Sequence, residues 1–140
     1  MKRLCFAIVA AVTMSSCGSR AITADRIEKA IEPTFANLVL VEVSWLKLPP
    51  AMASEFEVTA SCRRVASRSE SGAGEWVCKL RWVGPDRQPL RDTFDVVVTT
   101  DGCYTATAEG DQLGGITLTA RDGHDVRNLL HTFEGCFDTM

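Results

Sequence analysis

Six cysteines and two histidines are the side chains of this 140-residue chain best suited to chemistry. Thiols and imidazoles hold metals, attack carbonyls or, in pairs of thiols, make covalent staples, and spacing separates these uses. None of the cysteines forms a CxxC pair, so neither a zinc ribbon nor a haem attachment site is expected, and no metal or cofactor is read from the chain. His124 stands between Asp122 and Asp125, and His131 follows seven residues later. That juxtaposition is the raw material of a His–Asp general base for a small hydrolase. On a helix, however, the two rings would lie about 10 Å apart, too far for one ion. HExxH, a nucleophile elbow and a phosphate-cradling glycine loop are all missing from the sequence, so a non-enzymatic protein is expected.

Two of the cysteines belong to the first residues. Lys2 and Arg3 precede an apolar run from Leu4 to Met14, followed by Ser15, Ser16 and Cys17. That is the layout of an export signal, with an apolar run short of the roughly 20 residues a membrane span needs. Met14-Ser15-Ser16-Cys17 resembles the lipobox of bacterial lipoproteins, with Met where Leu is usual. The resemblance implies that residues 1–16 are a lipoprotein signal peptide carrying Cys5 away, that Cys17 becomes the acylated first residue, and that residues 17–22 form a lipidated tether. Residues 23–140 are then a single domain. Two or three acyl chains hold far better than one, so the expected location is the outer face of the cell membrane. Loss of Lys2 and Arg3 takes the net charge from −3 to −5. An acidic body without a basic stripe excludes nucleic acid as a partner and leaves the lipid as the membrane contact.

Cys62, Cys78, Cys103 and Cys136 remain, and four cysteines in an exported chain read as two disulfides with three possible connectivities. Strand register chooses among them. Phe56, Val58, Ala60 and Cys62 alternate with Glu57, Thr59, Ser61 and Arg63, and Trp76, Cys78, Leu80 and Trp82 alternate with Val77, Lys79, Arg81 and Val83. In an antiparallel hairpin around 69–74, pairing Cys62 with Cys78 also pairs Ala60 with Leu80 and Val58 with Trp82 on one face. Cys103–Cys136 follows by elimination.

The rest of the chain must position these pairs. Thr23 is expected to cap a long amphipathic helix whose apolar stripe runs Ala24, Ile27, Ile31, Thr34, Leu38, Val41, Trp45 and Leu48. Pro33 predicts a kink, Val39, Val41 and Val43 also suit a strand, and Pro49-Pro50 ends the segment. A third strand spans 92–100. Asp101-Gly102 is read as a two-residue turn facing Val98 with Thr105, which aims the Cys103 sulfur at the core. A fourth strand spans 103–108, a fifth runs Ile116, Leu118 and Ala120, and Val126, Leu129, Leu130 and Phe133 fall at helical spacing before Cys136. The expected fold class is α+β: an N-terminal amphipathic helix packed on an antiparallel sheet of about five strands, with a C-terminal helical segment and two disulfides.

Four blocks, 33–38, 72–78 (GAGEWVC), 101–106 (DGCYTA) and 133–138 (FEGCFD), resemble those of small uncharacterised cell-envelope lipoproteins of high-GC Gram-positive, actinobacterial type. This implies an envelope location and the same two staples, and carries no activity with it. A weaker similarity, in disulfide order and loop length, is to the subtilisin-inhibitor family. Its members present a proline-bearing loop after the third cysteine, where this chain has Tyr104-Thr105-Ala106-Thr107.

Two residue groups suggest binding. Arg64 falls opposite Trp76 in the proposed hairpin, and these two with Trp82 further along the same strand are read as a ligand platform of cation–π type. Glu109, Asp111, Asp122, Asp125, Glu134 and Asp138 concentrate acid without the spacing of a calcium loop. The expected function is a lipid-anchored envelope protein that binds a protein partner or ligand. A subtilisin-inhibitor-like protease inhibitor and a small hydrolase using His124 or His131 are the alternatives.

Overall fold

The structure, a computed structural model, describes residues 21–65 and 68–139. The expected signal peptide, Cys5, Cys17 and most of the tether lie outside the described residues. One helix, α1 (Ala24–Trp45), is followed by a short 3-10 turn (Ala53–Phe56) and seven strands. These are β1 (Thr59–Arg64), β2 (Gly74–Val83), β3 (Pro89–Val98), β4 (Cys103–Ala108), β5 (Thr117–Thr119), β6 (Asp125–Arg127) and β7 (Thr132–Cys136). Five of them form one antiparallel sheet in the order β1-β2-β3-β4-β7, and α1 covers one face of it.

The helix begins at Ala24 and so does not open the chain as an N-terminal element. It passes through Pro33, whose missing N–H deprives only the carbonyl of exposed Lys29, where water can substitute. Its buried residues are Ile27, Ile31, Phe35, Val39, Glu42 and Val43, which corrects the expected stripe beyond Ile31. Steps of four lead the 3.6-residue period where alternating threes and fours lag it, so the two stripes diverge along the helix. Val41 and Trp45 are therefore 40% and 42% exposed. Phe35 decides the phase: its ring sits edge-on to Trp82, Phe94 and Phe133, with centroids 4.9, 5.8 and 5.8 Å away.

The first hairpin has the expected register, with Cys62 opposite Cys78, Ala60 opposite Leu80 and Arg64 opposite Trp76. Both disulfides, Cys62–Cys78 and Cys103–Cys136, join directly opposed residues, with Cα atoms 4.1 and 3.9 Å apart. Closing such loops stabilises a small domain by about 3 to 4 kcal/mol each.

Strand β4 departs from expectation by one residue. Val98 faces Tyr104 rather than Thr105, because the turn is a three-residue loop, 100–102, with Gly102 in the left-handed region at φ 83°. The Thr99 N–H donates to the Cys103 carbonyl and the Gly102 N–H to the Thr99 carbonyl. A one-residue slip reverses every side chain. Tyr104 and Ala106 enter the core, while the Cys103–Cys136 bond lies on the outer face rather than pointing inward.

Two further corrections concern the C-terminal third. The fifth strand of the main sheet is β7, since Leu118 belongs to a separate hairpin of β5 and β6. Nor is there a C-terminal helix. Val126 lies in β6 and Phe133 in β7, so their helical spacing is a coincidence of two extended elements joined by a turn at Asn128. Pairing Cys136 with Cys103 demands an extended strand beside β4. Gly135 makes that approach possible, because a Cβ there would stand 2.4 Å from the Tyr104 hydroxyl.

Because Cys136 is exposed and Cys78 fully buried, mild thiol reductant acting on native protein should open Cys103–Cys136 first. Alkylation and mass mapping over time are expected to label 103 and 136 well before 62 and 78; simultaneous labelling would contradict the assignment of faces.

Candidate functional site

The two ends of the sheet differ in what they can bind. At one end, where α1 starts, the 69–74 loop is tied down from several sides. The Arg64 guanidinium donates to the carbonyls of Ser71 and Ala73, Trp76 Nε1 donates to the Gly72 carbonyl at 3.2 Å, and the Gly72 N–H donates to Ile22 at 2.8 Å. Thr23 and Ser71 form a bridge. The place where the chain enters the domain is thus fixed to the first hairpin.

This arrangement uses up the residues of the expected platform. Trp76 and Trp82 are 1% and 3% exposed on the face covered by α1, and Arg64 is engaged by loop carbonyls. The register brings Arg64 and Trp76 together as expected, but as a structural clamp without an exposed ring face. The segment after Cys103 is the strand β4, flanked by β3 and β7, and not a presented loop. His124 lies at the tip of the β5–β6 hairpin, its side chain 82% exposed and 3.2 Å from Asp122. The His124 amide and ring hold the Asp122 carboxyl below the usual carboxylate range. His131 is half-buried just before β7. Glu109 shares a hydrogen bond with Asp95, which raises its affinity for a proton. Among the described residues no three His, Cys, Asp or Glu side chains converge as a metal site, and no helix is long and apolar enough to cross a membrane.

The other end carries a cleft of about 470 Å³. It is lined by the buried Val39, Val43, Trp82 and Leu130 and by Leu46, Leu48, Leu90 and Leu113. Asn128 holds the chain that brings Leu113 and Leu130 to the cleft. This side chain is 2% exposed, donates to the carbonyls of Leu113 and Gly115 at 2.8 and 2.9 Å, and accepts from the Leu130 N–H at 3.1 Å. Fully satisfied, a buried amide fixes the chain around it in one conformation. The Arg121 N–H donates to the Leu46 carbonyl and ties the β5–β6 hairpin to the end of α1.

Into this apolar space projects Glu42, 6% exposed. Helical geometry puts it there: Phe35, Val39 and Glu42 fall at i, i+4 and i+7, one face of α1. Among the described residues its carboxyl takes one hydrogen bond, from the Leu129 N–H to Oε1 at 3.2 Å. Burial raises its pKa to about 7, against the smaller lowering effect of that bond. A second buried carboxylate, Asp92, accepts from the Thr93 N–H at 2.7 Å, and its Oδ2, close to Gly110, has no hydrogen-bond partner among the described residues. Sequence reasoning did not single out Glu42 or Asn128. The signal for Glu42 was its place four residues before Leu46 and three after Val39, legible once the helix is phased on Phe35.

No protein-family description, curated protein or solved structure matches this chain.

A carboxyl that prefers its proton in the folded state stabilises the fold below its unfolded pKa and loses that contribution as pH rises to about 7. Glu42→Gln should therefore melt like the wild type near pH 4 and be more stable by about 1 to 2 kcal/mol at pH 8. Thermal melts across this range check it; a difference independent of pH would mean that Glu42 is not the group responsible.

Proposed function

We propose that this chain is a lipid-anchored, non-enzymatic binding module of the cell envelope, held at the outer face of the membrane through acylated Cys17 and taking a small, largely apolar ligand in the cleft beside Glu42. The cleft carries this reading: a concave apolar space with a few polar groups is the usual form of a small-molecule site. Its location fits the anchor. Residues 21–23 leave the domain at the start of α1, and Glu42 lies 18 residues further along the same helix, about 27 Å away at 1.5 Å per residue. The cleft thus opens at the end remote from the tether, where a ligand arriving from outside the membrane meets it. Two disulfides suit the oxidising surroundings of an exported protein.

Two measurements test the two halves of the proposal. Cys17→Ala should release the protein from membranes into the medium, and retention would assign the anchor elsewhere. Titration of that released chain with the neutral solvatochromic dye Nile red should saturate, and Leu113→Arg should weaken binding roughly tenfold or more by placing a charge in the cleft wall. Absence of saturable binding, with a folded circular-dichroism spectrum, would remove the cleft as the site.

A further inference from the structure

We propose that the ligand of this cleft is an organic monocation, a protonated aliphatic amine whose ammonium group pairs with the Glu42 carboxylate while its hydrocarbon body lies along Val39, Val43, Trp82 and Leu90. This rests on the cleft being the binding site and adds the chemical class of what binds there.

The geometry points to a cation because the protein itself leaves that place open. Glu42 is buried, has one neutral hydrogen-bond donor, and pairs with no Lys or Arg among the described residues. A buried carboxylate is costly unless a positive charge and further donors are brought to it. The charged groups facing the cleft are few. Arg121 comes from the turn between β5 and β6, Asp86 from the β2–β3 connection, and the Leu129 amide from the segment after β6. Asp86 adds a second negative charge to the lining and Arg121 one positive charge, so the cleft is net negative once Glu42 is ionised. An ammonium ion brings three N–H donors and a full charge to Oε2, which takes no hydrogen bond from the described residues, and its alkyl stem matches the aliphatic lining. A neutral alcohol of the same length would satisfy the stem and leave the carboxylate uncompensated.

Calorimetric titration of the full chain carrying Cys17→Ala, free of lipid and detergent, provides the test. The probes are n-hexylammonium, n-hexanol and hexanoate. At pH 8 hexylammonium should bind at least tenfold tighter than hexanol, with hexanoate weakest. Hexylammonium stays charged across neutrality, whereas Glu42 takes up a proton near pH 7, so its affinity should fall about tenfold from pH 8 to pH 6. Glu42→Gln should lose this preference and the pH dependence together while keeping its affinity for hexanol, which also shows that the variant is folded. Equal binding of hexylammonium and hexanol, or an amine preference that survives in Glu42→Gln, overturns the proposal but leaves the cleft intact as a site. Binding of Nile red without any hexylammonium binding overturns it likewise. If neither the dye nor any hexyl probe binds, the cleft reading falls with it.

Discussion

Phe35 is the contact on which the rest of the arrangement turns. Its ring is fully buried and meets Trp82 of β2, Phe94 of β3 and Phe133 of β7 edge to face, so a single helical residue spans three strands of the sheet. Each such pair contributes about 0.5 to 1.5 kcal/mol beyond the area it buries. More consequential than the energy is the angle. With Phe35 pointing at the sheet, the positions four and seven residues on must point the same way, and the second of these is a glutamate. The cleft's one buried titratable group is therefore placed by an aromatic contact two helical turns away.

The same constraint explains why the cleft exists at this end and not the other. Near the start of α1, the 69–74 loop, Arg64, Trp76 and residues 22–23 fill the space over the sheet with mutual hydrogen bonds. Near its end the helix stops at Trp45, and Lys47 takes a left-handed backbone conformation. The cover there is supplied by the chain between β4 and β7, organised around Asn128. Such a cover touches the helix end through Arg121 and the Leu129 amide but does not fill the space beneath.

How much of this is legible in the sequence varies with how many independent signals agree. In the first hairpin, alternation and a cysteine pair both demand one register, and the strands adopt it. The helix carries apolar residues at Thr34's neighbours Leu38, Val41 and Trp45 as well as at Phe35, Val39 and Val43, and periodicity alone cannot weigh one stripe against the other. Only packing can, because a phenylalanine ring fits among three aromatic side chains that the sequence separates by up to 51 residues, from Trp82 to Phe133. The β3–β4 turn departs from its expected form because Asp-Gly suits both a two-residue and a three-residue loop. The deciding contact lies far away, where the Phe137 N–H donates to the Gly102 carbonyl at 3.0 Å. Glu42 and Asn128 stayed hidden for a related reason: a polar residue acquires its meaning from the phase of its helix or from carbonyls of a distant loop.

One edge of the sheet has a chemistry of its own. The outward N–H groups of Ala60 and Cys62 on β1 donate to the carboxylates of Glu32 and Glu28, at 2.9 and 2.7 Å, from one face of α1. An edge strand with unpaired amides is a template on which another chain can lay down a further strand. Here the helix occupies those amides with acceptors that are not backbone and cannot be extended into a ladder. A folded protein at high concentration meets its own copies constantly. Sealing β1 in this way closes one route from such crowding to fibrils, and the remaining edge, β7, is locked to β4 by its disulfide and kept to five residues.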